Sequence, residues 1–402
     1  MITNYPYNET GGSEQNWCIT QDHRGVVYVG NYEKGIQEYD GVEWRSISMP
    51  NNAPVFSLVT GDDGVVYVGA DGDFGLLEPD PIGKLHFRSL CDSVERQADG
   101  SIKVWKSYAH EKKIWFCSHN GIYIFNPASG DIEFIQTPEH AYHSYIADGR
   151  LYNSDYGEGL MIFEKDHFEK VPGGDFFHEV DITGLEHFGP GLLLVSTLGN
   201  GIYLLNTQTG ALDDSFLTRE LMAEFQENQI TYTKLLHEDL LVCTYSNGLY
   251  ILDRSGKVKE IISESEGLID NTIIQVYTDD RINGSGPLWL ANWKGVSKIE
   301  ANNPFRVFTE RSGFESLITD IVQFNDILFV STMSGLYYKS SSPSAAPFRK
   351  LAGIPSEVSL LSNIYVTMIM KRFILDIHIM IHQRSYSSIK LGPITDTISY
   401  WP

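Results

Sequence analysis

The sequence predicts an all-β fold, a β-propeller of seven or eight four-stranded blades, and three observations carry that prediction. A strand–turn–glycine–strand pattern recurs eight times. The glycine that opens its second strand falls at Gly35, Gly75, Gly121, Gly159, Gly201, Gly248, Gly295 and Gly335, at spacings of 38 to 47 residues, the length of a propeller blade. The 402-residue chain holds 22 Tyr, 20 Phe and 36 Gly, a composition that suits strands joined by tight turns. Amphipathic helical periodicity is nearly absent, which excludes a helical solenoid.

The units follow in order. The first reads VVYVGNYEKGIQEYD at Val26–Asp40 and the second VVYVGADGDFGLLEPD at Val65–Asp80. Next come IWFCSHNGIYIFNP from Ile114, LYNSDYGEGLMIFEK from Leu151, LLVSTLGNGIYLLNT from Leu193 and LLVCTYSNGLYILDR from Leu240. LWLANWKGVSKIE from Leu288 and LFVSTMSGLYYK from Leu328 complete the series. Flanking strands, such as NWCITQD before the first core and EWRSIS after it, bring each unit to four. Polar turns such as Asp22-His23-Arg24-Gly25 join the first two strands, with glycine supplying a positive φ. The middle strands are nearly continuous apolar runs, as strands packed on both faces require. Thr218–Gln229 has helical spacing and is read as a short helix between blades, and Leu90–Ser101 as a polar insertion in the equivalent place. Ile2-Thr3-Asn4-Tyr5 reads as an outer strand able to close the ring against the last blade. A ring of seven leaves the eighth unit to begin something further along.

The repeat spans residues 1–355. Residues 356–402 form an atypical tail with a single glycine, Gly392, read either as an accessory segment or as the mark of a truncated or altered reading frame. Lys371, Arg372 and Asp376 interrupt its apolar run, so it falls short of the roughly 20 apolar residues of a membrane span. No signal peptide is legible in MITNYPYNETGG. With 30 basic and 52 acidic residues, the net charge is −22, which argues against nucleic acid as a direct partner. Cys18, Cys91, Cys117 and Cys243 are scattered and read as buried small apolar residues.

The opening units carry a family likeness. Gly25-Val26-Val27-Tyr28-Val29-Gly30, then Gly35-Ile36 and Tyr39-Asp40, then Gly41 to Trp44 (GVEW), resemble the sensory propeller region of bacterial two-component regulators. DDGVVYVGADGDFG at Asp62–Gly75 and Leu288-Trp289-Leu290-Ala291-Asn292 add to the resemblance, which covers about residues 1–350. It implies a periplasmic or extracellular sensing region, recognising glycans or their breakdown products. In relatives of that kind a tyrosine-rich immunoglobulin-like module, a membrane helix and a histidine kinase or DNA-binding module follow. No kinase glycines or phosphoacceptor helix can be placed in this chain.

No HExxH, Walker A loop, dinucleotide fingerprint or GxSxG is present, so no catalytic residue, metal site or cofactor is assigned. Gly61–Gly64 and Asp71-Gly72-Asp73 lack the full oxygen-ligand loop of a calcium site. Asn8-Glu9-Thr10 and Asn283-Gly284-Ser285 fit a glycosylation acceptor, which a bacterial source makes irrelevant. In a propeller the turns between second and third strands share a face with the connections between blades, and such loops carry ligands on a rigid frame. The candidate binding face is Asn31, Tyr32, Asp71, Asp73, His119, Asn120, Asp155, Tyr156, Asn200, Tyr245, Asn247, Asn292 and Trp293. Its aromatics can stack on sugars and its Asn and Asp can hydrogen-bond; taken singly, each is better explained by turn capping or space filling, and the face as a whole by binding. An oligosaccharide ligand is the expectation. A protein-interaction or dimerisation scaffold, giving a homodimer, and a propeller hydrolase or lyase using Asp71, Asp73 and Asp155 remain open alternatives.

Overall fold

Each repeat unit folds into one antiparallel sheet of four strands. In the computed structural model, the described residues are 1–91, 102–279, 286–300, 313, 316–324, 327–340 and 348–351, with strand backbone at 361–369, 372–379 and 387–390. Most of the Leu90–Ser101 insertion and the Asn283 acceptor lie outside them, as does much of the tail.

The chain divides into two units, Met1–Glu264 with Leu268–Arg306, and Ser265–Gly267 with Val307–Pro402. The first holds seven sheets. Their inner strands are Asn16–Gln21, Val55–Thr60, Val104–His110, Ala141–Ala147, Ile182–Gly189, Ile230–Leu236 and Ile273–Tyr277. Each packs against the next and the last against the first, so the ring is closed with seven blades. Closure uses the N-terminus. Ile2–Pro6 is the outer strand of blade seven, antiparallel to Gly295–Ile299, with Ile2 opposite Ile299 and Pro6 opposite Gly295. The second unit holds the eighth four-stranded sheet, Ile318–Phe324 to Arg349–Lys350, and a three-stranded sheet of Leu361–Ile369, Arg372–Ile379 and Ser387–Lys390. The 1–355 span is therefore divided, its eighth sheet standing in the second unit. Among the described residues no helix is long and apolar enough to cross a membrane.

The core lies between blades, as the apolar second strands require. Val27–Asn31 and Val66–Ala70 are buried at every residue. Blades one and two meet through Tyr28, Ile36, Val55 and Val68, and blades seven and one through Trp289, Val296, Ile19 and Val29. All four cysteines are buried, each in one of the layers between blades. The turns follow local chemistry. The Asp22 carboxylate accepts from the Arg24 and Val26 amides at 2.8 and 3.0 Å, a side-chain mimic of a backbone turn. Gly248 sits at φ +77°, and a Cβ there falls 2.2 Å from the Ile262 carbonyl; only glycine lets the third strand start this close to the fourth. The helix expected at Thr218–Gln229 forms as Arg219–Asn228, with the Thr218 hydroxyl accepting from the Leu221 amide at 3.3 Å.

Candidate ligand-binding face

Every inner strand of the ring carries a β-bulge at the same place. The register shifts across Trp17, Phe56, Trp105, Tyr142, Thr183, Thr231 and Ile274, the second residue of each strand. A bulge leaves its extra residue outside the ladder and re-aims the side chain. Here it does so seven times around the rim that also carries the turns between second and third strands.

In blades one to four the re-aimed residue is aromatic, and these rings join. Phe56 stacks on Trp105 at 4.3 Å between centroids, and Trp17 meets both edge-on at 5.5 and 6.0 Å. Trp105 stacks on His119 at 5.7 Å and lies 6.2 Å from His143. Tyr142 lies 5.4 Å from His119, 4.2 Å from His143 and 5.1 Å from Tyr156. Tyr32 reaches Phe56 at 6.5 Å. On blades six and seven, Tyr245 and Trp293 meet edge-on at 6.0 Å. Burial, then the charges of Asp181 and Tyr245, push the Tyr142 hydroxyl above its ordinary pKa.

The cluster holds polar atoms that find no partner. Trp17 Nε1, Trp105 Nε1, His119 Nε2 and His143 Nδ1 are buried without a hydrogen bond, as is Trp293 Nε1 in the separate pair. A buried group left unpaired is costly; the indole nitrogens share this with Trp44, Trp115 and Trp289 elsewhere in the ring, and what is particular to this patch is that two such imidazole nitrogens lie among joined rings. Burial lowers the pKa of His119, with Lys103 adding to it, and lowers that of His143 further, with Lys106 and His119 adding. Both imidazoles are neutral at neutral pH, and the patch is an aromatic surface with uncharged hydrogen-bonding edges.

The sequence-derived residues divide. Tyr32, His119 and Tyr156 enter the cluster, and Tyr245 and Trp293 form a separate pair. The others make local contacts, the exposed Asn120 and Asn200 through their backbone alone. Asn31 accepts from the Glu33 and Lys34 amides at 3.1 and 3.0 Å, and Asp155 from those of Gly157 and Glu158 at 2.9 and 2.8 Å. Asp73 accepts from Ser89 Oγ at 2.7 Å, and Asp71 lies 3.5 Å from Lys103 Nζ. The Asn120 carbonyl accepts from Gln136 at 3.0 Å, and the Asn200 amide donates to Thr197 Oγ1 at 3.1 Å. Asn247 donates to Tyr250 Oη at 2.5 Å, and buried Asn292 to the Asp270 carbonyl at 3.0 Å. Asp71, Asp73 and Asp155 thus use their carboxylates locally, and among the described residues no three His, Cys, Asp or Glu side chains converge as a metal set. Sequence reasoning missed Trp17, Phe56, Trp105, Tyr142 and His143. The signal was present: NWC, VFS, VWK and AYH place an aromatic second in four successive inner strands.

These features define a closed seven-bladed propeller with an aromatic sector on one rim. Its structural neighbours include the kind of protein that the opening units resemble. The extracellular domain assigned to a hybrid two-component system, BT3049 of B. thetaiotaomicron, aligns at TM-score 0.62 and 15% identity over 99% of this chain and 61% of that one. That of BT4673 from the same organism aligns at 0.56 and 19%, over 94% of this chain and 51% of that one. Virginiamycin B lyase from Staphylococcus aureus aligns at 0.54 and 15%, over 74% of this chain and 97% of the lyase. At these identities the likeness establishes the fold, and the chain spans about half to three-fifths of the length of the two extracellular domains. No family model matches the chain, and no curated protein matches it.

Proposed function

We propose that this chain is the ligand-binding propeller region of a bacterial signalling protein, acting outside the cytoplasm and taking an oligosaccharide on the aromatic sector of blades one to four. The observation that carries the reading is the joined surface of bulge-presented rings, Trp17, Phe56, Trp105 and Tyr142, with the His119 and His143 edges among them. Flat rings offer CH–π surface to a sugar, and the N–H edges beside them can bond its hydroxyls. The extracytoplasmic setting rests on the resemblance of the opening units and on the two extracellular-domain neighbours. The chain itself carries no assigned catalysis; a signal passes to modules of the longer protein.

Calorimetric titration with a panel of plant, host and microbial oligosaccharides tests this. The expected result is saturable binding by one class, weakened about tenfold or more by Trp105→Ala, as for an aromatic anchor. Absence of binding across the panel sinks the glycan reading, and a stable dimer under the same conditions then favours the scaffold.

A further inference from the structure

Beside the aromatic sector, the inner strand of blade three carries a cation, Lys106. Lys106 follows the bulged Trp105 on the inner strand of blade three, opposite Cys117 in the ladder. Its Nζ stands 4.4 Å from the centre of the Tyr145 ring in blade four. Its hydrogen bond is a long one, 3.4 Å, to the carbonyl of the bulged Thr183 in blade five. Lys106 forms no ion pair with a carboxylate among the described residues, in a chain of net charge −22. Glu186 of blade five favours its charged form from beyond ion-pair distance, and Cys117, Tyr145 and His143 are among its neighbours.

Other lysines either meet a carboxylate, as Lys113 meets Glu133 and Lys259 meets Asp239 at 2.8 and 2.6 Å, or, like Lys34, Lys84 and Lys112, stand exposed to water. Lys106 instead rests on a ring face and a carbonyl, which solvate a cation without neutralising it. It is linked to the unpartnered patch in short steps. Tyr145 lies 6.5 Å from His143, and His143 lies 6.2 Å from Trp105. The patch supplies ring faces and neutral edges, and Lys106 supplies a single positive charge beside them. Burial lowers its pKa to about 8, a penalty that an incoming anion relieves.

We propose that Lys106 is the charge-reading residue of this face, and that the ligand is a ring bearing a carboxylate: the ring lies on the aromatic sector and the carboxylate pairs with Lys106 Nζ. This rests on reading the face as a ligand site and adds that the ligand is an acid. A neutral oligosaccharide that binds regardless of Lys106 overturns the addition and leaves the earlier reading standing.

The experiment uses matched acids and neutral partners on the full chain. The probes are 2-naphthoate against 2-naphthamide, and digalacturonate against its dimethyl ester, so that aromatic and sugar acids are separate arms. The expected result is that at least one acid binds roughly fivefold or more tightly than its neutral partner, as for a charge-assisted pair. Lys106→Met removes that preference while the affinity for the neutral partner stays, and Lys106→Arg keeps it. The arm that shows the preference identifies the source of the acid. Equal binding of acid and neutral partner in both arms, no saturable binding of either acid, or a preference that survives Lys106→Met overturns the proposal. Should Lys106→Met fail to fold, the arginine variant and the wild-type comparison still decide it.

Discussion

Trp105 touches Trp17, Phe56, His119 and His143 by ring contact, yet its indole N–H has no partner. Packing and hydrogen bonding can therefore be separated at this residue. Trp105→Ala removes the stacking and lowers the unfolding free energy by about 2–4 kcal/mol. Trp105→Phe keeps a ring and deletes an unsatisfied donor, so urea unfolding places it within about 1 kcal/mol of wild type. Ligand affinity nevertheless falls in Trp105→Phe; an unchanged affinity excludes the indole N–H as a ligand contact. Lys106 yields a pH prediction. Its folded pKa, about 8, lies below the usual lysine value, so between those two values the unfolded chain holds more protons. Stability from this group rises with pH across that window, and its burial is most costly below it. Lys106→Met is accordingly as stable as wild type or more so at pH 7, by at most about 1–2 kcal/mol after solvent screening. The gap closes by about pH 10.5, and thermal melts at pH 7, 9 and 10.5 read it directly. Residue identity alone misleads about the candidate face. Asn31, Asp73 and Asp155 look like ligand contacts in sequence, but short polar side chains beside a turn find backbone amides first. Tyr32 and Trp293 have no such local outlet and stay at the rim.

At the scale of elements, the turn glycines and apolar strands were legible because their pattern is local. Strand order, the Arg219–Asn228 helix and the sheets all follow from short-range periodicity and turn chemistry. Gly248 shows how tight that local logic is. Its φ is positive, and a Cβ added there would sit 2.2 Å from the Ile262 carbonyl, which leaves no room for a side chain. Gly248→Ala therefore lowers stability by about 2–3 kcal/mol from strain and crowding together, while Gly41→Ala, where a Cβ meets nothing within 4 Å, loses only the smaller conformational term of about 1 kcal/mol. Chemical denaturation of the pair separates the two causes. The bulges were not legible in the same way. A bulge is a two-strand property, one extra residue against a partner, and a reading of single strands sees NWC or VWK as ordinary alternation. Only when the units are stacked on one another does the aromatic at the second position emerge as a column.

At the scale of the whole molecule, the number of blades was set by a contact between residues nearly 300 positions apart, which no local pattern reports. Eight units are legible in the sequence, but the ring closes with seven because Ile2–Pro6 fills the outer place of blade seven. Asn4 and Ser297 face each other in that ladder, with Ser297 Oγ donating to Asn4 Oδ1 at 2.8 Å. Removing residues 1–6 takes away the pairing strand and exposes an edge that can recruit other chains. A covalent version of the same contact tests the closure from the stabilising side. Asn4→Cys with Ser297→Cys places two thiols across one register, and the four native thiols are buried away from it, burial holding Cys18, Cys117 and Cys243 protonated and unreactive. Oxidation of the double variant links the two ends of the ring and removes most of the freedom of the unfolded chain between them. The oxidised form is expected to be about 2–4 kcal/mol more stable than the same variant reduced. No disulfide, or a disulfide with no gain over the reduced form, means that the ends do not meet in solution as the seven-bladed ring requires.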